Sequence, residues 1–238
     1  MKERLDKILT DRKLVITRSQ AKSLIEKGDV TVGGKVVQKA GEQVDVDSEI
    51  EIHAEIYVGR GAFKLKKALE EFRVVVKDKI LLDVGASTGG FTEILLSEGA
   101  SLVYAIDVGR EQLAEKLKID PRVRNMEGTN IKDLTELPDL ADGAVMDLSF
   151  ISILKVLSSV KRLLKPGAFL IALVKPQFEV GLDRLPKDGV VKDEKLRAQV
   201  LHEIISAAVN DDWIHHRTIV SPIEGKNGNV EYLAYFSL

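Results

Sequence analysis

Lys175 and Asp147 are the charged residues whose positions in this sequence most directly suggest chemistry. Lys175 ends the apolar run Ala168-Phe-Leu-Ile-Ala-Leu-Val174, and Asp147 ends the run Ala144-Val-Met. An ammonium group at the end of such a strand is disfavoured unless it is paired or partly neutralised. In adjacent parallel strands both side chains would face one cleft. Lys175 is therefore a candidate to hold or accept a proton there.

A glycine-rich loop, Asp83-Val-Gly-Ala-Ser-Thr-Gly-Gly-Phe91, follows another apolar run. Its glycines at 85, 89 and 90 permit a tight turn and close approach of the backbone to a ligand. The GxxxGG spacing matches neither the GxGxxG of dinucleotide folds nor the GxxxxGK[ST] phosphate loop, which disfavours hydride transfer and ATP hydrolysis. Asp107 lies 22 residues after Gly85, where such folds place an acid against ribose hydroxyls. The alternative is an ordinary strand-to-helix turn.

These residues belong to a region in which apolar strands alternate with helices. The pattern predicts strands at 80–85, 102–107, 144–148 and 169–174, and helices at Phe91–Ser97, Glu111–Leu117, Ser152–Leu164 and Glu194–Asn210. We also expect Asn229-Val-Glu231-Tyr-Leu to lie on the final strand. Solid apolar strands alternating with helices indicate an α/β domain whose parallel sheet is covered on both faces. Ligands of such sheets bind at the carboxyl ends of the strands.

The first part of the chain has a different pattern. Residues 1–40 contain ten Lys or Arg and five Asp or Glu, whereas residues 41–56 contain six acids and no Lys or Arg. Apolar residues occur at helical spacing in two stretches, which predicts two helices. Thr17 and Gly28 can begin and end the second helix, and Gly33-Gly34 indicates a hairpin turn. We expect a small α+β domain at 1–57, a linker near His53–Val58, and the α/β domain at 58–238.

Composition limits the function further. The 238 residues carry 35 Lys or Arg against 37 Asp or Glu, and no cysteine. Disulfides, thiolate metal sites and cysteine nucleophiles are therefore excluded, and His202, His215 and His216 lack metal-ligand spacing with acids. The longest apolar run is too short to span a bilayer, and the N-terminus lacks the apolar core of a signal peptide. These features favour a cytoplasmic protein without a metal.

The strings Arg4-Leu-Asp-Lys-Ile-Leu and Thr17-Arg-Ser-Gln-Ala-Lys-Ser-Leu-Ile-Glu-Lys-Gly-Asp-Val-Thr-Val-Gly-Gly-Lys resemble the S4 RNA-binding domain. The resemblance implies that this region binds structured RNA through phosphates and helix junctions. The residues implied are Arg4, Arg18, Ser19, Lys22 and Lys27, and we add Arg60 at the start of the second domain. The alternative is that this basic excess is only a solvated face.

An acid leading into a glycine loop, with a second acid one strand later, is similar to methyltransferases that use S-adenosylmethionine. The whole chain resembles the TlyA family, also called haemolysin-like proteins, in which an S4 domain precedes an FtsJ-like rRNA 2′-O-methyltransferase domain. The match runs through Gly85-Ala-Ser-Thr-Gly-Gly-Phe-Thr, Asp147-Leu-Ser-Phe-Ile-Ser and Lys175-Pro-Gln-Phe-Glu. It implies a Rossmann-like fold, S-adenosylmethionine as cofactor, and ribosomal RNA or ribosomal subunits as partner.

The resemblance also implies residue roles. The catalytic set is Lys64, Asp147, Lys175 and Glu231, in which Lys175 accepts or stabilises the 2′-hydroxyl proton, Asp147 orients Lys175, and Lys64 and Glu231 position the ribose. The cofactor set is Asp83, Gly85, Ser87, Gly89, Gly90, Phe91, Asp107, Asn130 and Asp147. Without this context, Lys64 and Glu231 would read as surface charges.

Four positions depart from the family pattern. Gly59 replaces a Ser, Gly128 replaces an Arg, and Arg110-Glu111 replaces Tyr-Gly. These departures keep open an RNA-binding ribosome-assembly factor that has lost methyl transfer. A pore former lacks a membrane-active segment. A base methyltransferase would usually show an Asn/Asp-Pro-Pro-Tyr/Phe string after the fourth strand, where this chain has Asp147-Leu-Ser-Phe.

Overall fold

The computed structural model divides the chain into two units, Met1–Tyr57 and Val58–Leu238. It describes the backbone of residues 1–238 and every side chain except that of Lys226. Within this described part, no helix is both long and apolar enough to cross a bilayer.

The first unit contains two helices and two small sheets. The helices are α1 (Leu5–Asp11) and α2 (Arg18–Lys27). The antiparallel strands are β1 (Lys2–Arg4) with β4 (Gln43–Asp45), and β2 (Val30–Val32) between β3 (Lys35–Val36) and β5 (Ile50–Ile52). A buried apolar cluster that includes Leu5, Leu9, Leu24 and Ile25 joins the helices.

The boundaries of α2 and the hairpin confirm the sequence prediction. Thr17 Oγ1 accepts a hydrogen bond from the Gln20 amide at 3.2 Å, which satisfies one of the free amides in the first turn. Gly28 ends the helix in the left-handed region, with φ of 83°. Gly33 and Gly34 both have positive φ, 54° and 76°, and they join β2 to β3. A two-residue turn of this kind matches the twist of the paired strands.

The second unit is a seven-stranded sheet with helices. Its strands are β6 (Ile80–Val84), β7 (Leu102–Asp107), β8 (Val123–Glu127), β9 (Ala141–Met146), β10 (Leu164–Val174), β11 (Ile214–Val220) and β12 (Tyr232–Ser237). Its helices are α3 (Gly61–Phe72), α4 (Gly90–Ser97), α5 (Glu115–Lys118), α6 (Leu157–Lys161), α7 (Pro176–Glu179) and α8 (Glu194–Asn210). The strand order is β11-β12-β10-β9-β6-β7-β8.

Five neighbouring strands of this sheet, from β10 through β8, run parallel, and β12 and β11 add antiparallel pairs at one side. The central strands are almost fully buried; Leu81, Leu82, Leu170 and Leu173 are each 0% exposed. The predicted α/β class is therefore confirmed, and the carboxyl ends of β6, β9 and β10 meet at one edge.

Three local predictions were wrong. The helix expected at Glu111–Leu117 is only α5, because Glu111 lies in the left-handed region with φ of 57°. The helix expected at Ser152–Leu164 is split into a 3₁₀ turn at Ile153–Lys155 and α6, since Leu164 already begins β10. Glu231 precedes β12, which begins at Tyr232. Apolar spacing alone does not show where a helix is interrupted.

Glu111 lies in the left-handed backbone region, which glycine adopts without the steric cost of a Cβ. A non-glycine residue there costs roughly 1–2 kcal/mol. We predict that Glu111→Gly raises the free energy of unfolding by about 0.5–1 kcal/mol, part of the gain being offset by the greater freedom of glycine in the unfolded chain. Urea unfolding measures this change. The control Glu115→Gly, in the first turn of α5, should instead lower stability; equal effects of both variants would contradict the explanation.

Candidate active site

A cavity of about 650 Å³ lies at the carboxyl ends of β6, β9 and β10. Its volume is within the range of small-molecule sites. The predicted site residues that line it are Arg60, Lys64, Gly85, Ser87, Gly90, Phe91, Asp147, Lys175 and Glu231. The structure therefore brings the four residues expected to be catalytic to one cavity.

Lys175 and Asp147 form an ion pair in this cavity. The Lys175 Nζ to Asp147 Oδ1 distance is 2.6 Å, and Lys175 is 8% exposed. Lys175 also donates a hydrogen bond to Ser149 Oγ at 2.9 Å. The parallel pairing of β9 with β10 places the two residues side by side, as expected. Pairing therefore offsets the cost of removing the Lys175 ammonium from water.

Lys64 and Glu231 form a second, more deeply buried pair. Lys64 Nζ donates to Glu231 Oε2 at 2.6 Å, and the residues are 6% and 3% exposed. Lys64 lies on α3, which packs Ala62, Leu65 and Ala68 into the interior. Because both charges are buried, the surface-charge interpretation of Lys64 and Glu231 is wrong.

The loop after β6 needs glycine for different reasons at different positions. Gly85 has φ of 89°, and a Cβ there would lie 2.5 Å from the Asp147 carbonyl oxygen. Gly89 has φ of 94°, and its Cβ would meet the Leu117 side chain at 2.2 Å. Gly85 thus keeps the loop close to Asp147 at the cavity, whereas Gly89 makes room for α5 and does not line the cavity.

Asp107, which ends β7, and Asn130, three residues after β8, both belong to the predicted cofactor set but lie outside the cavity lining. Asp107 accepts hydrogen bonds from the Ser87 amide at 2.8 Å and the Gly109 amide at 2.7 Å. Each carboxylate oxygen keeps a further lone pair for a hydroxyl. Asn130 Oδ1 accepts from the Lys132 amide at 3.1 Å. Their roles toward a cofactor stay predictions.

The segment after β7 is held against β8 by Glu127. Asn125 Nδ2 donates to Glu127 Oε2 at 2.9 Å, and the Leu113 amide donates to Glu127 Oε1 at 2.9 Å. Together with the Gln112 amide, these donors lower the pKa of Glu127 to about 2. The carboxylate therefore stays ionised at neutral pH and keeps this segment beside Asp107.

Gly128 and Gly59, two of the positions that depart from the pattern of the resemblance, each lie against a neighbouring polar side chain. The Arg110 guanidinium covers Gly128, where a Cβ would lie 2.9 Å from Arg110 Nε. Gly59 faces Thr88, where a Cβ would lie 2.5 Å from Thr88 Oγ1. In each case the glycine leaves room for the neighbouring side chain.

Asp83 is fully buried beneath the glycine loop. Thr92 Oγ1 donates to its Oδ2 at 2.6 Å, and its Oδ1 has no partner among the described groups. Burial, and to a smaller extent the nearby carboxylates of Asp147 and Asp107, raise the pKa of Asp83 to about 7. Three carboxylates thus interact at the ends of adjoining strands. A positively charged ligand would relieve this repulsion.

The residues expected to bind RNA lie in both units. Arg4 and Arg18 donate to the carboxylate of Asp6, at 3.0 Å and 2.8 Å. The Arg4 hydrogen bond is the largest cause that lowers the pKa of Asp6 to about 2. Ser19, Lys22 and Lys27 lie on α2, and Lys22 pairs with Glu26 at 3.6 Å. Arg60 is exposed at the cavity of the second unit.

The sequence analysis missed several residues of the cavity. Ser149 holds Lys175, and Gln177 Nε2 donates to Glu231 Oε1 at 3.2 Å. Phe150 is 90% exposed, has φ of 66°, and lies against Phe178 with ring centroids 5.1 Å apart. Each belongs to a string already quoted for its resemblance, but no local pattern distinguishes it from a packing residue.

The residues present suit S-adenosylmethionine. Its sulfonium and ammonium are cations, which the carboxylates of Asp83, Asp107 and Asp147 favour, and Gly85 leaves space for close backbone approach. A largely parallel sheet with this loop at its carboxyl edge is the architecture of S-adenosylmethionine-dependent methyltransferases.

Comparison with known proteins agrees with this class. The model of the FtsJ-like methyltransferase family matches residues 57–238, and the S4 domain model matches residues 3–50. A relative from Mycobacterium tuberculosis, named 16S/23S rRNA (cytidine-2′-O)-methyltransferase TlyA, is 40% identical over 237 residues, which cover 98% of this chain and 88% of the relative.

Two solved structures extend the comparison. A Streptococcus thermophilus protein with the provisional name hemolysin has a TM-score of 0.75 and 40% identity, covering 99% of this chain and 88% of that one. An S-adenosylmethionine-dependent methyltransferase from Mesorhizobium loti shares the fold alone, with a TM-score of 0.53 and 13% identity over 72% of this chain and 96% of that one. The chain belongs to the TlyA family of FtsJ-like methyltransferases that carry an S4 domain.

The contact of Gly85 with the Asp147 backbone makes a testable prediction. Gly85→Ala should lower the free energy of unfolding by about 3 kcal/mol or more, because it adds a steric clash to an unfavourable φ. It should also weaken S-adenosylmethionine binding at least ~10-fold. Urea unfolding and calorimetric titration measure the two effects.

Gly181→Ala is the matched control. Gly181 has a similar φ of 79°, but a Cβ there meets nothing within 4 Å. This variant should lose only about 1 kcal/mol and keep its cofactor affinity. Similar losses in both variants would mean that the approach to Asp147 is unimportant.

The raised pKa of Asp83 predicts a pH dependence of cofactor binding. A cation is bound better by the ionised carboxylate, so affinity for S-adenosylmethionine should rise as the pH increases through about 7. Calorimetry between pH 6 and 7 should show an increase of roughly 3-fold or more, in a window that lies below the usual α-amino pKa of about 7.7–8.0. Asp83→Asn should flatten this profile. A mutant profile parallel to that of the wild type would rule out Asp83 as its source.

Proposed function

We propose that this protein transfers the methyl group of S-adenosylmethionine to a ribose 2′-hydroxyl of ribosomal RNA. The observation that carries the proposal is the pair of buried Lys–carboxylate contacts, Lys175–Asp147 and Lys64–Glu231, in one cavity beside the glycine loop. The printed activity of the Mycobacterium tuberculosis relative and the S4 domain support ribosomal RNA as the substrate.

The chemistry of 2′-O-methylation suits these side chains. When bound, S-adenosylmethionine supplies an electrophilic methyl group. Lys175 binds the 2′-oxygen, stabilises the negative charge that develops on it and, in the amine form, accepts its proton. Asp147 and Ser149 orient the Lys175 amino group. Because a 2′-hydroxyl is a poor nucleophile, alignment within about 3–3.5 Å provides much of the acceleration.

Lys64 and Glu231 position the ribose without needing to exchange a proton. Their pair is buried and rigid, and Gln177 holds the free oxygen of Glu231. Phe150, exposed at the cavity in a strained backbone conformation, offers a face on which a base can stack. The methyltransferase unit thus provides supports for both ribose and base.

RNA docking is assigned to the S4 domain, with Arg60 contacting RNA at the cavity. Asp6 fixes Arg4 and Arg18 on one side of the domain, and their side chains stay about half exposed, 50% and 56%. Arginines held in this way can neutralise phosphates with little loss of side-chain entropy. The basic excess of residues 1–40 is consistent with this role.

A methyl-transfer assay tests the proposal. Undermethylated ribosomal subunits are incubated with S-adenosylmethionine carrying a labelled methyl group, and the RNA is digested to nucleosides. The wild type should place label in a 2′-O-methyl nucleoside. Asp147→Ala and Lys175→Met should each reduce transfer at least ~100-fold, since Lys175→Met removes the partner of the reacting hydroxyl and Asp147→Ala removes the carboxylate that orients Lys175.

Lys165→Met is the matched control, because Lys165 also pairs with an aspartate, Asp142, at 2.7 Å but does not line the cavity. It should retain transfer. Label on a base would contradict ribose methylation, and RNA binding without any transfer would favour the assembly factor. Full activity of Lys175→Met together with loss in Lys64→Met would reassign the proton acceptor.

A further inference from the structure

The side-chain oxygen of Gln177 is a buried hydrogen-bond acceptor at the cavity that accepts no hydrogen bond from the described groups. The residue is 8% exposed and lines the cavity. Its Nε2 donates to Glu231 Oε1, while its Oε1 has no hydrogen-bond partner among the described groups. A buried amide oxygen without a donor is costly, and native structures seldom retain one without a functional reason.

Glu231 prevents the Gln177 amide from turning over. A carboxylate has no proton to donate, so it can be paired only with the NH₂ end of the amide. Glu231 is itself held by Lys64 at 2.6 Å, so it remains an acceptor. The oxygen end of Gln177 must therefore be the free end. A glutamine able to turn could recognise either a donor or an acceptor, whereas this one can receive only a donor.

RNA offers few donors to such an acceptor. Phosphates, sugar ring oxygens and esterified 3′-oxygens are all acceptors, which leaves N–H groups of the base and the 2′-hydroxyl. The 2′-hydroxyl is assigned to Lys175 in the proposed function. A base extruded from its stack is read by hydrogen bonds to its Watson–Crick edge, and Phe150 and Phe178 stand at the same cavity.

We propose that Gln177 selects the target nucleotide by accepting a hydrogen bond from the 4-amino group of a cytidine or the 6-amino group of an adenosine. This inference rests on the proposed function. Cytidine and adenosine present an amino group at the position where uridine and guanosine present a carbonyl oxygen. A carbonyl facing Gln177 Oε1 would place two acceptors together and leave both unsatisfied. The contact therefore favours cytidine over uridine, and adenosine over guanosine.

The test changes one base in the RNA. After the methylated position has been located, the same RNA is prepared with cytidine, adenosine, uridine or guanosine there, and with a pyrimidin-2-one ribonucleoside, which is cytidine without its amino group. The better substrate of cytidine and adenosine should exceed its keto counterpart, uridine or guanosine respectively, by at least ~10-fold in kcat/KM. The pyrimidin-2-one should lose a similar factor relative to cytidine. Comparison of kcat/KM for the cytidine and adenosine RNAs shows whether the pocket accepts a pyrimidine or a purine.

Gln177→Leu should reduce this preference to within ~3-fold by lowering kcat/KM on the amino-bearing RNA, with unchanged affinity for S-adenosylmethionine. Gln199→Leu is the matched control: Gln199 also donates through Nε2 to a glutamate, Glu203, at 2.9 Å, but it is exposed on α8. It should keep the full preference.

Three results would overturn the inference while transfer persists. One is equal methylation of cytidine and pyrimidin-2-one by the wild type, which needs no variant to fold. Another is an undiminished preference in Gln177→Leu. The third is a preference of the wild type for uridine. Absence of transfer to every RNA would instead overturn the proposed function and this inference with it.

Discussion

Two buried ammonium groups and two carboxylates share the cavity of the second unit, and each ammonium lies 2.6 Å from its partner. Removing such charges from water costs several kcal/mol for each ion, and leaving one without its partner costs about 3–5 kcal/mol. The four residues come from α3, from the ends of β9 and β10, and from the residue before β12. The pairs can therefore form only when most of the α/β unit is folded, so the site and the fold depend on each other.

Asp83, Asp107 and Asp147 concentrate negative charge near the glycine loop, and Asp147 of these three lines the cavity. The carboxylates of Asp107 and Asp147 add to the effect of burial in raising the pKa of Asp83, and among the described side chains Asp147 alone of the three has a cationic partner. Such an arrangement is unfavourable in isolation and becomes favourable when a cation binds. Gly85 contributes by removing the Cβ that would separate the loop from Asp147. The structure therefore suits a cofactor whose sulfonium carries the transferable group.

The positions that depart from the pattern of the resemblance can be explained by local contacts. The Arg110 guanidinium lies beside Gly128, where a Cβ would be 2.9 Å from Arg110 Nε. Gly59 leaves room for Thr88 of the glycine loop. Glu111 keeps a left-handed backbone for which glycine is better suited. None of these positions belongs to the two ion pairs.

The sequence by itself determined the elements whose signals are local. Thr17 and Gly28 bound α2, Gly33-Gly34 forms its hairpin, and α8 spans Glu194–Asn210 as expected. The sequence also placed Asp147 and Lys175 at the ends of two apolar strands, and these residues meet because neighbouring parallel strands end at one edge of the sheet. Only the tertiary structure decided that Lys64 and Glu231, 167 positions apart, form a buried pair. It also decided that residues 111–114 do not continue α5 and that the Gln177 oxygen is left free. These outcomes depend on contacts between distant segments and on the hydrogen bonds already used by neighbours, which no local spacing records.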